Sequence, residues 1–460
     1  MNKNRRANEE FLPEKTLGFW TIWALGVGSV IGDGIFLAMG QGIAAAGSSA
    51  IAAYLIAGLS QLFLMIALGE LAVGMPNAGA MSLWVERFMG NWWGFLSGFT
   101  FAIGWVIAGG STGLALGKIT AWFFPQLKGD LWPILFSIIF LTLFAVLNLI
   151  GTSIAARTQL YLVIVLTVIM ALFSIIGLKD IRMSHFSHVM PHGLGGFWAA
   201  IPMGTYAYLG TITLTTSGGE CKNPKDLPRA LIWSSITFLI LYTLAQVVLQ
   251  GIIPWNEFTT NNSPFTQAAG QVFGFAGAFI MNLAAWIAAA TCVLMGTLYA
   301  APRIFYAQAK EGYLPKFFSQ LHPKTKTPVY GTIIVWIVSV IFIIISALAP
   351  SSIYVELSLQ VTLAWMVSWT LALIAAIFYR QKSKKEVNNL PWKQPLYPLF
   401  PILGFLGILI VCIGTFVGSP TSLIIGAVWI GILFILFKVF YRSKKSIQSI
   451  KRSNQKMIDS

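Results

Sequence analysis

Charge is scarce in this chain. Only 10% of its 460 residues are Asp, Glu, Lys or Arg, against about 25% in an ordinary soluble domain. Such a composition, at 57% hydrophobic, excludes a water-soluble fold and the usual count of one domain per ~150 residues. Cysteine is nearly absent too. Cys221, Cys292 and Cys412 are too few and too scattered for a disulfide framework or a thiolate metal centre. The four histidines, His185, His188, His192 and His322, do not combine with the fifteen acids into the carboxylate and imidazole cluster that a membrane-embedded enzyme needs. No Walker, DNA-binding or haem-attachment motif occurs. Catalytic residues, metal sites and cofactors are therefore not expected.

Long apolar runs fill the chain instead. Twelve have approximate cores at 17–41, 50–74, 93–123, 131–150, 158–178, 197–217, 231–252, 271–305, 329–348, 353–379, 397–417 and 421–441. Each is long enough, or nearly so, to cross a bilayer as a helix of about 20 residues. The fold class expected is an all-α polytopic membrane protein of twelve transmembrane helices. The first run is too long, and its Asn- and Arg-rich leader too polar, for a cleaved signal peptide.

The charges that do occur are placed unevenly, and this explains the net +15 without nucleic acid. An even span count puts both termini on one side. With that side cytoplasmic, 26 of the 30 basic residues lie inside, from Lys3, Arg5, Arg6 and Lys15 to the run ending at Lys456. Lys118, Lys128, Lys179 and Arg182 remain at or near the outer face. The positive-inside rule therefore places both termini in the cytoplasm, in the plasma membrane, which for a bacterium is the inner membrane. The tail 442–460 should meet anionic lipid headgroups.

The first span holds the most unusual stretch, Gly26-Val27-Gly28-Ser29-Val30-Ile31-Gly32-Asp33-Gly34-Ile35-Phe36. It puts four glycines and a carboxylate at mid-membrane depth. Glycine weakens a helix, and open backbone in a bilayer persists only where it lines a cavity or is buried in protein. The competing reading is close helix packing through small residues; Asp33 weighs against it, because intramembrane acids are functional candidates by default. The sixth span, Pro202-Met203-Gly204-Thr205-Tyr206-Ala207-Tyr208-Leu209-Gly210-Thr211, is weakened in the same way. Interruptions at corresponding positions of two halves mark a central binding site built from broken helices. Five spans per half is odd, so the second half would enter from the opposite side as an inverted repeat. The expected layout is a cytoplasmic tail 1–16, a first repeat 17–178, a second repeat 197–379 and two peripheral helices 397–441. The repeat rests on topology, since the halves share no evident identity.

Four motifs carry a resemblance. They are Gly28-Ser29-Val30-Ile31-Gly32-Asp33-Gly34-Ile35-Phe36; Glu70-Leu71 with Pro76-Asn77-Ala78-Gly79; Gly219-Glu220 with Lys222-Asn223-Pro224 and Pro228-Arg229-Ala230; and Arg303 with Tyr306-Ala307 and Gly312-Tyr313-Leu314-Pro315. In order and at matching spans, they resemble an amino acid permease of the amino acid–polyamine–organocation superfamily. The resemblance implies five-plus-five inverted repeats with discontinuous helices one and six. It also implies alternating access around spans one, three, six, eight and ten. Carried over residue by residue, it puts the substrate carboxylate on backbone N–H groups of Ile31, Gly32, Asp33 and Gly34. The amino group would meet carbonyls between Tyr206 and Thr211, including Gly210, with Tyr206 or Tyr208 covering the substrate. Either tyrosine could equally be membrane packing.

Two departures stand out. Relatives usually carry a small or hydroxyl residue at Asp33, and many have a lysine where this chain has Leu166. A cation-binding acid that some relatives carry is replaced by Ile212. Asp33 is therefore the coupling candidate: it would bind a proton, contact a cationic substrate, or only hold the opened helix. Glu70 is the gate candidate. Trp84, Trp92, Trp93, Trp198 and Trp255 read as interfacial anchors. The expected function is secondary transport of amino acids or related amines, proton-coupled or alternatively by exchange. An enzyme lacks its cluster, and a channel would need charged rings or a repeated pore segment.

Overall fold

The glycine-rich stretch of the first span does not hold one continuous helix. In the computed structural model, α1 (Phe19–Val30) stops at Ile31, where φ/ψ of −71°/103° is extended. A π-helical turn at Gly34–Ala38 resumes the path and leads into α2 (Met39–Ala46). The structure describes residues 17–76, 80–127, 129, 131–150, 156–258, 263–325, 327–348 and 353–458, with the backbone alone for 80, 156–159, 216, 219, 295, 346–348, 353 and 441–458. The tail 1–16, Asn77, Ala78 and Gly79 of the second motif, Lys128 and Lys326 lie outside these residues.

The sixth span breaks as well. α8 (Gly193–Ala207) ends at Tyr208, and a 3-10 helix runs on over Thr211–Glu220. Between them Gly210 has φ +124°, a conformation that side-chain-bearing residues rarely adopt. A Cβ on Gly210 would sit 2.0 Å from the Ser29 carbonyl oxygen, and one on Gly34 would sit 2.7 Å from Ala207 Cα. The two breaks therefore press backbone to backbone. Close packing through small residues and helix opening were alternatives in the sequence; here the same glycines do both.

The remaining elements are helical. They are α3 (Ala50–Gly74), α4 (Ala80–Met89), α5 (Asn91–Ala121), α6 (Leu131–Ile150), α7 (Ala156–Gly177), α9 (Asp226–Ile252), α10 (Pro264–Cys292), α11 (Ala301–Lys310), α12 (Val329–Leu348), α13 (Ile353–Lys382), α14 (Lys384–Asn388), α15 (Leu399–Gly418) and α16 (Pro420–Ile458). A second π-helical segment, Val293–Ala300, joins α10 to α11. Among the described residues, nine helical stretches are long and apolar enough to cross a membrane, and Phe19–Val30 and Val329–Ile345 are shorter apolar helices. The protein is thus an all-helical, multi-pass membrane protein.

Burial separates the core from the periphery. α5 is almost wholly buried from Gly94 to Thr120 and packs on α4, α6, α12 and α13. Its seam of Gly, Ala, Ser and Thr allows that many close neighbours. α6, α7, α15 and α16 instead expose Ile, Leu and Val along their length, such as Ile139, Leu143, Val168, Leu409 and Ile432. In water such a surface would be a liability; against lipid it is the outer wall. One expected anchor is corrected: Trp84 is fully buried, because α4 folds back onto α5 and α13. Its indole N–H donates to the Met75 carbonyl at 2.8 Å.

Candidate functional site

The two breaks meet at a buried cavity of about 30 Å³, room for one or two water molecules. One wall is the broken backbone, with Ser29, Val30, Gly32, Asp33, Gly34, Tyr206 and Leu209. The facing wall comes from α5 (Trp105, Ala108, Thr112), the end of α10 (Cys292) and α13 (Val361, Trp365).

Asp33 is the only acid in that lining, and it is 3% exposed. Its Oδ1 accepts from the Thr112 hydroxyl at 2.7 Å. Its Oδ2 accepts from the hydroxyls of Tyr206 and Tyr354, each at 2.8 Å. Ser111 lies 3.0 Å from the Tyr206 hydroxyl and extends the network into α5. The carboxyl thus ties spans one, three, six and ten together through neutral groups. Among the described residues no cation pairs with it. A buried carboxylate without a counter-charge is costly, and three hydroxyl donors offset part of that cost.

The other expected residues divide. Gly32, Gly34 and Tyr206 line the cavity; Ile31, Tyr208, Gly210 and Thr211 do not. Ile31 donates its N–H to the Val27 carbonyl at 3.0 Å and closes α1. Tyr208 turns away and packs against Tyr242 and Phe238 with tilted rings, centroids 5.2 and 5.6 Å apart. Gly210 acts as the contact with Ser29. Thr211 is buried at the start of the 3-10 helix. Of the carbonyls expected to face an amino group, those of Tyr206 and Gly210 accept from the N–H groups of Leu209 and Thr213. Tyr354, Thr112, Trp105, Trp365 and Cys292 were not singled out from the sequence. Only their position on the expected core spans three, eight and ten could have pointed to them.

Glu70 is equally buried but lies apart from the cavity, near the end of α3. It accepts the Gln394 backbone N–H at 2.9 Å and faces the Arg380 guanidinium at 3.6 Å. Arg380 stacks over Tyr397, 4.3 Å from its centroid. Glu70 thereby joins span two, the end of span ten and the segment after it. On the same side Leu17 exchanges backbone bonds with the end of span six: its N–H donates to the Glu220 carbonyl at 3.0 Å, and its carbonyl accepts from Lys222 at 2.9 Å. Half-burial raises the Glu220 carboxyl above its ordinary range, and burial pushes the Cys221 thiol up to about 11. Leu166, where many relatives have a lysine, is buried in α7, a helix packed against α1. Among the described residues no group of three or more His, Cys, Asp or Glu could hold a metal ion.

Comparison with known proteins now adds to the geometry. The profile of an amino acid permease family matches residues 17–440. The probable threonine/serine transporter YbxG of Bacillus subtilis is 27% identical, over 98% of this chain and 99% of that protein. The amino-acid permease RocE of the same organism is 27% identical, over 86% of this chain and 88% of its own length. The D-serine/D-alanine/glycine transporter of Escherichia coli (strain K12) is 26% identical, over 82% of each chain.

Proposed function

The chain belongs to the amino acid permease family, a family of transporters rather than enzymes, and on that premise we propose that it is a secondary transporter that carries amino acids by alternating access with Asp33 as the coupling group. The observation that carries this reading is the Asp33 carboxyl itself, held at the crossing of two broken helices by three neutral hydroxyls. When Asp33 is ionised, it repels a substrate carboxylate nearby. When it is protonated, that repulsion is gone, and two carboxylates close together in a low-dielectric site need not both stay ionised. Substrate binding and proton uptake are then linked. The cavity is smaller than an amino acid, so loading requires α5 and α13 to move away from the breaks, as alternating access demands.

Two other readings have support. Exchange without proton coupling is favoured by Leu166, since no basic side chain stands there to carry a proton or replace a sodium ion. A cationic amine as substrate is favoured by the same unpaired carboxylate. Around the site we propose twelve spans, five-plus-five inverted repeats at 17–178 and 197–379, peripheral helices 397–441, and Glu70 as a cytoplasmic gate. The cytoplasmic side carries both termini, in a bacterial inner membrane; the basic-residue asymmetry and the bacterial relatives support this.

Purified protein in liposomes tests the reading. Labelled amino acids, starting with threonine, serine, alanine and glycine, should accumulate when an inward proton gradient is imposed. Exchange without accumulation would favour the antiporter. Orientation is tested separately with Asn2→Cys and Ser460→Cys, since neither tail has a native cysteine. Neither should react with an impermeant thiol reagent on intact cells.

A further inference from the structure

Trp105 lies in the middle of α5, 4% exposed, in the cavity wall that faces the two breaks. Its six-membered ring edge is pressed on Gly296, where a Cβ would come within 2.0 Å of Trp105 Cζ3. This leaves the pyrrole edge, with its N–H, on the side away from Gly296. The ring meets Trp365 edge-on at 4.8 Å between centroids. The two indoles differ in one respect. The Trp365 N–H donates to the Phe101 carbonyl at 3.2 Å, whereas the Trp105 N–H has no partner among the described residues. Indole is a donor only, and native structures leave few buried donors unmade.

The rest of that wall offers only one weak donor, the Cys292 thiol. Ala108, Val361 and the Trp365 ring are apolar there, and the Thr112 hydroxyl is committed to Asp33. A substrate whose charged ends are held at the breaks turns its side chain towards α5 and α13. It then meets a largely apolar surface on which the Trp105 N–H is the strong free donor.

We propose that the Trp105 N–H is a specificity-determining donor, which takes an acceptor oxygen on the substrate side chain. The site then selects a small amino acid with a side-chain hydroxyl over its hydrocarbon isostere. This deepens the reading above and rests on it. A buried donor left unpaired by the wrong substrate discriminates by about ten- to a hundredfold. Selection of this kind is asymmetric: the hydrocarbon fits the space and loses only the bond.

The test uses the full-length protein in liposomes with L-threonine and L-valine, which are nearly isosteric. Wild type should show kcat/KM for threonine about ten- to a hundredfold above valine. Trp105→Phe keeps a ring against Gly296 and Trp365 and removes the donor. Its ratio should fall to about threefold or less through loss of threonine transport, with valine little changed. A wild-type ratio near one, a Trp105→Phe ratio unchanged from wild type, or an equal fall for both substrates each overturns the proposal. If Trp105→Phe carries neither substrate, thermal-shift titration decides: equal binding of both by the variant supports the donor role, and retained preference for threonine refutes it. Failure of wild type to move any of the twenty amino acids would refute transport itself, whereas movement only of amino acids without a side-chain acceptor would refute this proposal alone.

Discussion

Two carboxylates in this protein are buried to the same degree and solved in opposite ways. Asp33 and Glu70 are each 3% exposed. Glu70 has a cation within 4 Å and a backbone N–H on its oxygen, so its charge is compensated in place. Asp33 has three hydroxyls and, among the described residues, no cation. Hydroxyls solvate a carboxylate and also tolerate its protonated form, because each can turn its hydrogen and accept instead. A guanidinium cannot do this. Glu70 is therefore fastened by a counter-charge and holds elements together, whereas Asp33 sits among groups that accommodate either form of a carboxyl. The comparison separates a carboxylate met by a cation from one met by hydroxyls more sharply than burial alone does.

The largest effect should come from the backbone crossing that sets Asp33 in place. Gly210→Leu puts a side chain into the Ser29 carbonyl and a strained φ, and Gly32→Leu drives one into Cys292, which a Cβ would already approach to 3.3 Å. Each should cut uptake by about a hundredfold or more while membrane insertion persists, a loss typical of misplaced site geometry. Uptake at matched surface level checks this, and wild-type rates in either variant would misplace the site.

Next in size is the Asp33 carboxyl itself. Asp33→Asn keeps the shape and hydrogen-bonding capacity and removes the titration. Accumulation driven by an inward proton gradient should fall about tenfold or more, with substrate exchange retained. Both should be measured in the same liposomes. Accumulation equal to wild type would leave Asp33 a holder of the opened helix. If instead only cationic substrates are lost, the carboxylate reads an ammonium group.

Glu70→Gln should act on stability. It leaves Arg380 facing a neutral amide, and because the Arg380 side chain is 24% exposed, the cost should be about 1–3 kcal/mol, below that of a fully buried pair. Arg380→Gln in the same chain should recover much of it. A thermal-melt double-mutant cycle reads the coupling; additive losses would dissolve the contrast between the two acids.

The smallest change is Tyr354→Phe. Two hydroxyls still reach Asp33, so about 1 kcal/mol is lost, a shift of about fivefold in KM with little change in kcat. No change in either would show that span ten does not bear on the site.

Much of this was readable from residue order. That two spans break follows from local composition, glycine beside a carboxylate in one and proline with two glycines in another, but not where: Pro202, Gly204, Gly26 and Gly28 lie inside helices and the breaks come at Ile31 and Tyr208–Gly210. The partners of Asp33 were less readable. Tyr354 is 321 positions away, and nothing near it separates it from the other tyrosines of an apolar chain. Tyr206 and Tyr208 were indistinguishable for a geometric reason. Two residues apart at a helix end they point to nearly opposite sides, and only the packing of α9 decides which one turns inward. The Glu70–Arg380 pair was hidden likewise, since both look like span-end charges until the segment after span ten closes over them. Trp84 misled because tryptophan serves interfaces and cores alike.

The exchange of backbone bonds between Leu17 and the Glu220–Lys222 segment has a mechanical meaning. The first and sixth spans touch all along their breaks: there, where Gly26 faces Leu214, where Gly210 meets Ser29 and where Gly34 meets Ala207. Two bodies fastened at several points along their length keep no hinge of their own. The two broken helices are therefore laminated to each other, and neither slides along the other without giving up backbone bonds.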